Sequence, residues 1–201
     1  MINNKKTGTL TVYAAPMFGG KTTSLIAELE TSLEDNKKAI VVKPTIDKRY
    51  SIDDIVSHDG TSLKKLTGHS VRLLDVNDVL SNEDLEGIDV VLIDEAQFFT
   101  NLCNNSILNY LEKGIDVVAV GLDLDSNGVP FGSMPFLLSI ADVVYKLSGI
   151  CSVCGEDATR TFRKLSASST DQVLIGGKET YEPRCLQHWL EGEKEKKSWL
   201  S

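Results

Sequence analysis

At 201 residues, 41% hydrophobic and 25% charged, the chain has the make-up of an ordinary globular protein, one domain with an appendage or two small domains. No run approaches the roughly 18 apolar residues of a membrane span, and the polar start Met1 to Lys6 is not that of a signal peptide, so a cytoplasmic protein without a membrane partner is expected. A formal net charge of −8 argues against a nucleic-acid partner, because phosphate backbones want a basic face.

The run Leu10-Thr11-Val12-Tyr13-Ala14 alternates and predicts a short buried strand. Apolar residues then fall at Leu25, Ile26, Leu29 and Leu33, one face of a helix over residues 22–35. Between them Ala15-Pro16-Met17-Phe18-Gly19-Gly20-Lys21-Thr22 has the strand, loop and helix order of a phosphate-binding loop. Backbone N–H groups of such a loop point at phosphate oxygens, and the helix N-terminus adds partial positive charge. Lys21 would reach the β- and γ-phosphates of a nucleotide, and the Thr22 hydroxyl would ligate Mg²⁺. The usual pattern opens with glycine where Ala15 stands, so a polar turn before a helix is the alternative reading of this stretch alone.

Ala39-Ile40-Val41-Val42 is a near-continuous apolar run, as in a parallel strand buried on both faces. It leads into Lys43-Pro44-Thr45-Ile46-Asp47-Lys48-Arg49-Tyr50, where ligands of open α/β sheets bind, which makes Asp47 and Arg49 candidates; a solvated turn is the alternative. Residues 51–68, including His58, read as a hairpin or loop, 71–74 as a short strand and 76–85 as a short helix or helical turn. Val90-Val91-Leu92-Ile93 predicts a buried strand that carries Asp94 and Glu95 to its carboxyl end. In nucleotide-binding sheets the aspartate of such a strand helps hold Mg²⁺. With Gly-Lys-Thr upstream in the expected order, the pair points to a nucleotide site.

A short helix over 106–113 stops at Gly114, a strand follows at 117–120, and the Gly- and Asp-rich stretch 121–132 is a loop. A helix over 134–142 and a strand over 143–147 complete an alternation that implies a mostly parallel sheet with helices on both faces. Beyond it lie Cys151 and Cys154, then thirty residues, then Cys185 and His188. Two pairs of this spacing suggest a tetrahedral Cys₃His zinc site, with two unrelated pairs as the alternative. Cys103 stands alone and reads as a bystander. The long segment 161–180 would be an excursion anchored by metal at both ends, and the charged tail 191–197 a solvated helix end or a disordered segment.

Several of these stretches together resemble the cytosolic type II thymidine kinases. They are the loop Ala15 to Thr22, Lys43-Pro44 with Asp47 and Arg49-Tyr50, Ser57-His58-Asp59-Gly60, and Asp94-Glu95-Ala96-Gln97-Phe98-Phe99. Gly121-Leu122-Asp123, Pro130-Phe131-Gly132, the cysteine and histidine pairs, and Ile175-Gly176-Gly177 before Tyr181 complete the series, in family order over roughly residues 8–188.

The resemblance implies a P-loop, RecA-like core over residues 1–148, a small zinc-binding domain with a lasso loop over 149–192, and a charged tail over 193–201. It implies transfer of the ATP γ-phosphoryl group to the 5′-hydroxyl of thymidine or deoxyuridine, in a homotetramer. Glu95 would be the general base, and Asp94 would join Thr22 on Mg²⁺. Asp47, Arg49 and Gln97 would belong to the phosphate and metal neighbourhood. Main-chain groups near Thr161, Leu174, Ile175 and Gly176 would read the pyrimidine edge, and Met17, Phe98, Leu122, Phe131 and Tyr181 would wall the nucleoside. Zn²⁺ on Cys151, Cys154, Cys185 and His188 would be structural.

Three positions depart from the family: Ala15 for the first glycine of the loop, Ser126 for a phenylalanine common in the pocket wall, and His188 for the last cysteine. Two other classes fit parts of the pattern. A nucleotide-hydrolysing motor or switch also uses Asp-Glu after an apolar strand, and a zinc module that binds nucleic acid would need the basic face this chain lacks.

Overall fold

The computed structural model describes residues 6–46, 69–164 and 176–199. Asp47, Arg49, the stretch 51–68, Leu174 and Ile175 lie outside the described residues. Six strands form one sheet: β1 (Leu10–Ala14), β2 (Ala39–Pro44), β3 (His69–Leu74), β4 (Val90–Ile93), β5 (Asp116–Gly121) and β6 (Val143–Lys146). They run parallel throughout in the order β3-β2-β4-β5-β1-β6. Parallel strands need crossovers, and these place helices on both faces.

The sequence encodes the two faces by alternation within continuously apolar strands. Leu10, Val12, Ile40, Val42, Val91, Ile93, Val117 and Ala119 point to one side, where α2 (Ile107–Glu112) and α3 (Met134–Ile140) cover them with Ile107, Tyr110, Met134 and Leu137. Val41, Val90, Leu92, Val118 and Val120 point to the other, against Leu25, Ile26 and Leu29 of α1 (Lys21–Glu34). The α/β architecture expected from the sequence is therefore present, with the carboxyl ends of β1, β4 and β5 along one edge.

Several boundaries differ from those expected. Segment 76–85 takes the helical-turn alternative, because the Asp84 carboxylate accepts from the Ser81 N–H and hydroxyl while Ser81 Oγ accepts from the Asp84 N–H. A five-residue π-helical turn, Leu102–Ser106, precedes α2. Helix α3 stops at Ile140 instead of 142. Ala141 is extended, and Asp142 is drawn to the start of β1, where its carboxylate accepts from Leu10 N–H at 2.8 Å.

A smaller unit follows β6. Strands β7 (Gly149–Ile150) and β8 (Asp157–Ala158) pair antiparallel, as do β9 (Arg160–Arg163) and β10 (Tyr181–Arg184). Helix α4 (Leu186–Trp199) takes in the charged segment 191–197, which is thus a helix end. Phe162 packs it down: the Arg184 guanidinium lies 3.6 Å and the Lys196 ammonium 3.9 Å from the ring centroid. Among the described residues no helix is long and apolar enough to cross a membrane.

The central strands set the stability of this sheet. Leu92→Ala, at a fully buried position under α1, should lower unfolding free energy by about 2–5 kcal/mol, read from the denaturant midpoint.

Candidate functional site

Strand β1 ends at Ala14, and α1 opens seven residues later at Lys21. Phe18 (φ 63°) and Gly20 (φ 82°) take left-handed conformations that close the turn. Gly19 is required for another reason: its N–H donates to Pro16 O at 3.1 Å, and a Cβ there would sit 2.8 Å from the Ala15 Cβ. Ala15 itself has no positive φ, so the position needs no glycine; its N–H bonds Gly121 O at 3.3 Å. No side chain caps α1, which leaves its first-turn N–H groups directed into the loop. The Lys21 ammonium, largely buried, folds back on the loop and donates to Pro16 O at 2.7 Å.

At the end of β4 the Asp94 N–H continues the ladder to Val42 O, and its carboxylate accepts from Glu95 N–H at 3.0 Å. Glu95 has φ 49°, a left-handed turn unusual outside glycine, leading into a 3₁₀ turn at Ala96–Phe98. Gln97, 3% exposed, uses both ends of its amide. Its Nε2 donates to Glu95 Oε2 at 2.6 Å, and its Oε1 accepts from Leu122 N–H, just after β5, at 3.0 Å. Two glycines make room for it. A Cβ on Gly121 would lie 2.7 Å from Gln97 Oε1, and one on Gly132 (φ 50°) 1.8 Å from Gln97 O.

Phe98 and Phe131 meet edge to face, with centroids 5.6 Å apart. Asp123, after Leu122, pairs with Lys146 at 3.0 Å. Met17 N–H donates to Thr161 Oγ1 at 2.9 Å, so the phosphate loop touches β9. Tyr181 is buried opposite Arg163 in the β9–β10 pair, and Gly176 lies before β10 against Thr180. Sequence reasoning missed Trp189, whose indole N–H reaches Ser126 O and Thr161 O. A lone aromatic beside a ligand candidate has no periodic signal to reveal it. Ser126, expected to bear on a pocket wall, is buried.

Cys151, Cys154, Cys185 and His188 converge, with ligand atoms all within 4.8 Å of one another. Cys154 and Cys185 sulfurs are 3.9 Å apart, and His188 Nδ1 is 3.8 Å from Cys151 Sγ and 3.1 Å from Cys185 Sγ. Zn–S bonds of about 2.3 Å in a tetrahedron require S···S edges of about 3.8 Å, so the donor set and its spacing fit zinc. The remaining ring nitrogen, Nε2, faces the Glu191 carboxylate at 3.9 Å, beyond hydrogen-bond reach. Burial pushes the Cys151 thiol up, but backbone donors from Cys185, Cys154 and Val153 outweigh it and bring it down to about 6. Cys103 lies in the core, where its Sγ donates to Ala96 O, and burial pushes its thiol up to about 12.

A parallel sheet, a glycine-bearing loop opening a helix after β1 and an acidic pair at the end of β4, one strand removed, define a P-loop-like nucleotide-binding class. The family model described as thymidine kinase matches residues 8–189. A thymidine kinase of Onion yellows phytoplasma (strain OY-M) is 43% identical over 187 residues, 90% of this chain and 86% of the relative. That of Aster yellows witches'-broom phytoplasma (strain AYWB) is 42% identical over the same shares, and that of Coprothermobacter proteolyticus 40% identical over 92% and 93%. The chain belongs to the thymidine kinase family.

The cysteine environments make a direct prediction. After chelation at neutral pH, alkylation should label Cys154 and Cys185 ahead of the buried Cys151, while Cys103 stays unmodified until the protein is denatured, as peptide mass spectrometry would read. Equal labelling of all four in the folded protein would contradict the burial of Cys103.

Proposed function

We propose that the chain is an ATP-dependent kinase of thymidine, or deoxyuridine, that phosphorylates the 5′-hydroxyl and releases ADP in pyrimidine salvage. The observation that carries this reading is Glu95, held by Gln97 at the sheet edge onto which the Lys21 loop also opens. In-line phosphoryl transfer needs positioning and charge stabilisation more than covalent chemistry. The loop Ala15 to Thr22 cradles the triphosphate, with the N–H groups at the start of α1, Gly20 to Thr22, and the Lys21 ammonium directed at it. Lys21 leaves the Pro16 carbonyl to do so. Glu95 accepts the proton of the attacking hydroxyl, and the Gln97 N–H bond keeps its carboxylate in one orientation.

Thr22 and Asp94 offer hydroxyl and carboxylate oxygens, a donor set that suits a hard cation. When bound there, Mg²⁺ supplies positive charge against the phosphates. Asp47 and Arg49 join this neighbourhood by resemblance. Met17, Phe98, Leu122, Phe131 and Tyr181 wall the nucleoside, while backbone groups near Thr161, Leu174, Ile175 and Gly176 read the base. The division at residues 148 and 192, a homotetramer, and a cytoplasmic location without membrane or nucleic-acid partners belong to the same reading.

ADP release from ATP with Mg²⁺ should depend on thymidine; release that ignores thymidine would favour a hydrolase instead. Glu95→Gln should bind both substrates but lose about 10²–10⁴-fold in turnover, and turnover within a few-fold of wild type would remove Glu95 from the role. Lys21→Ala should likewise lose turnover with thymidine affinity kept.

The metal gives a separate test. Purified protein should carry about one zinc per chain, and Cys151→Ser should abolish thymidine binding while ATP still binds. A metal-free variant with normal thymidine affinity would overturn this part.

A further inference from the structure

We propose that Trp189 is a positioning residue for the nucleoside, a clamp that joins the loop after β5 to the strand touching the phosphate loop. The proposal rests on the thymidine kinase reading above. Trp189 follows His188 in α4, and its own backbone N–H donates to Cys185 O at 3.0 Å. Its indole Nε1–H is shared between two carbonyls, Ser126 O at 3.3 Å and Thr161 O at 3.2 Å. Ser126 lies in the loop that carries Leu122 and Phe131. Thr161 lies in β9, and its hydroxyl accepts from Met17 N–H at 2.9 Å. One donor therefore ties the metal-bearing helix to both sides of the proposed nucleoside pocket.

The surroundings are shaped for an indole. Gly128 has φ 77°, and a Cβ there would lie 3.0 Å from Trp189 Cη2 and 3.2 Å from Cζ2. The absent side chain is what lets the ring rest on the loop. Thr161 stands opposite Pro183 in the β9–β10 pair, and the Pro183 carbonyl turns outward to accept from Ser152 N–H. By the alternation of an antiparallel ladder, the Thr161 carbonyl also faces away from β10. Thr161 and Ser126 are 4% and 6% exposed, so removing the indole N–H takes a donor from two buried carbonyls.

The clamp separates nucleoside positioning from phosphate chemistry. Lys21 is held by Ala15 and Pro16 carbonyls and Glu95 by Gln97, and neither contact involves Trp189. Trp189 is not a metal-ligand candidate either. Its loss should therefore loosen the geometry among Met17, Leu122 and Phe131 and leave the transfer step intact.

The experiment is steady-state kinetics on the full-length, zinc-loaded protein. Trp189→Phe keeps a ring and removes the N–H. The expected result is a thymidine KM raised on the order of tenfold, with kcat, ATP KM and zinc content within about twofold of wild type. Gly128→Ala approaches the same contact from the core side and should raise thymidine KM in the same way, which settles the matter if Trp189→Phe does not fold. Unchanged thymidine KM in both variants overturns the proposal, as does a parallel fall of every parameter with zinc loss. Trp199→Phe leaves Trp189 as the sole tryptophan, and Gly128→Ala in that background should shift its emission. No shift sinks the clamp. Absence of thymidine-dependent ADP release in the wild type sinks the kinase reading instead, so the two failures are distinguishable.

Discussion

The Gln97 carboxamide is the contact on which the geometry of the acidic pair depends. It spans the carboxyl ends of β4 and β5, giving its N–H to Glu95 and taking the N–H of Leu122. Those partners fix which end of the amide is oxygen. A buried amide left with one end unmet would cost about 1–3 kcal/mol, so both ends hold the segment in place. Glu95 sits in a left-handed conformation that a non-glycine residue adopts only when its surroundings over-determine it. Gln97 supplies that determination from one side, and the Asp94 carboxylate, accepting the Glu95 N–H, supplies it from the other.

The same constraint explains two glycines that turn chemistry alone does not. Gly121 ends β5 in ordinary extended backbone, yet a Cβ there would strike both Gln97 and Met134. Gly132 combines a positive φ with direct contact on the Gln97 backbone. The motifs Gly121-Leu122-Asp123 and Pro130-Phe131-Gly132 are thus two sides of the seat for one glutamine. That is why they accompany the Asp94-to-Phe99 motif in a single chain.

What the sequence made legible follows from the range of each interaction. Continuous apolar runs announced β2, β4 and β5 because strands buried on both faces leave no polar alternation. The helical face of Leu25, Ile26 and Leu29 announced α1, and x₂ spacing announced the Cys₃His cluster because neighbouring ligands must share one turn. Helix ends and linkers were less legible. The early stop of α3 depends on Asp142 meeting Leu10, and the turn before β4 on Ser81 and Asp84, contacts that no periodicity encodes. Gln97 and Thr161 were singled out by resemblance alone; their hydrogen bonds to Leu122 and Met17 reach 25 and 144 positions along the chain. Trp189 carried no signal at all, since its partners are main-chain carbonyls that any residue could supply.

Those long-range contacts also give the small unit its place in the molecule. Strands β7 and β8 are two residues each and β9 and β10 four, too short to support an independent core. Four ligand-type side chains drawn from both ends of the unit can replace that core, because metal affinity becomes folding free energy in small units. The cluster joins the turn between β7 and β8 to the junction of β10 and α4. Its alignment with the sheet edge comes from Thr161 on Met17, from the Trp189 indole, and from Ser148 bonded to Asp157 across the junction. The ligand-type cluster draws the unit together within itself, and these hydrogen bonds set it against the sheet.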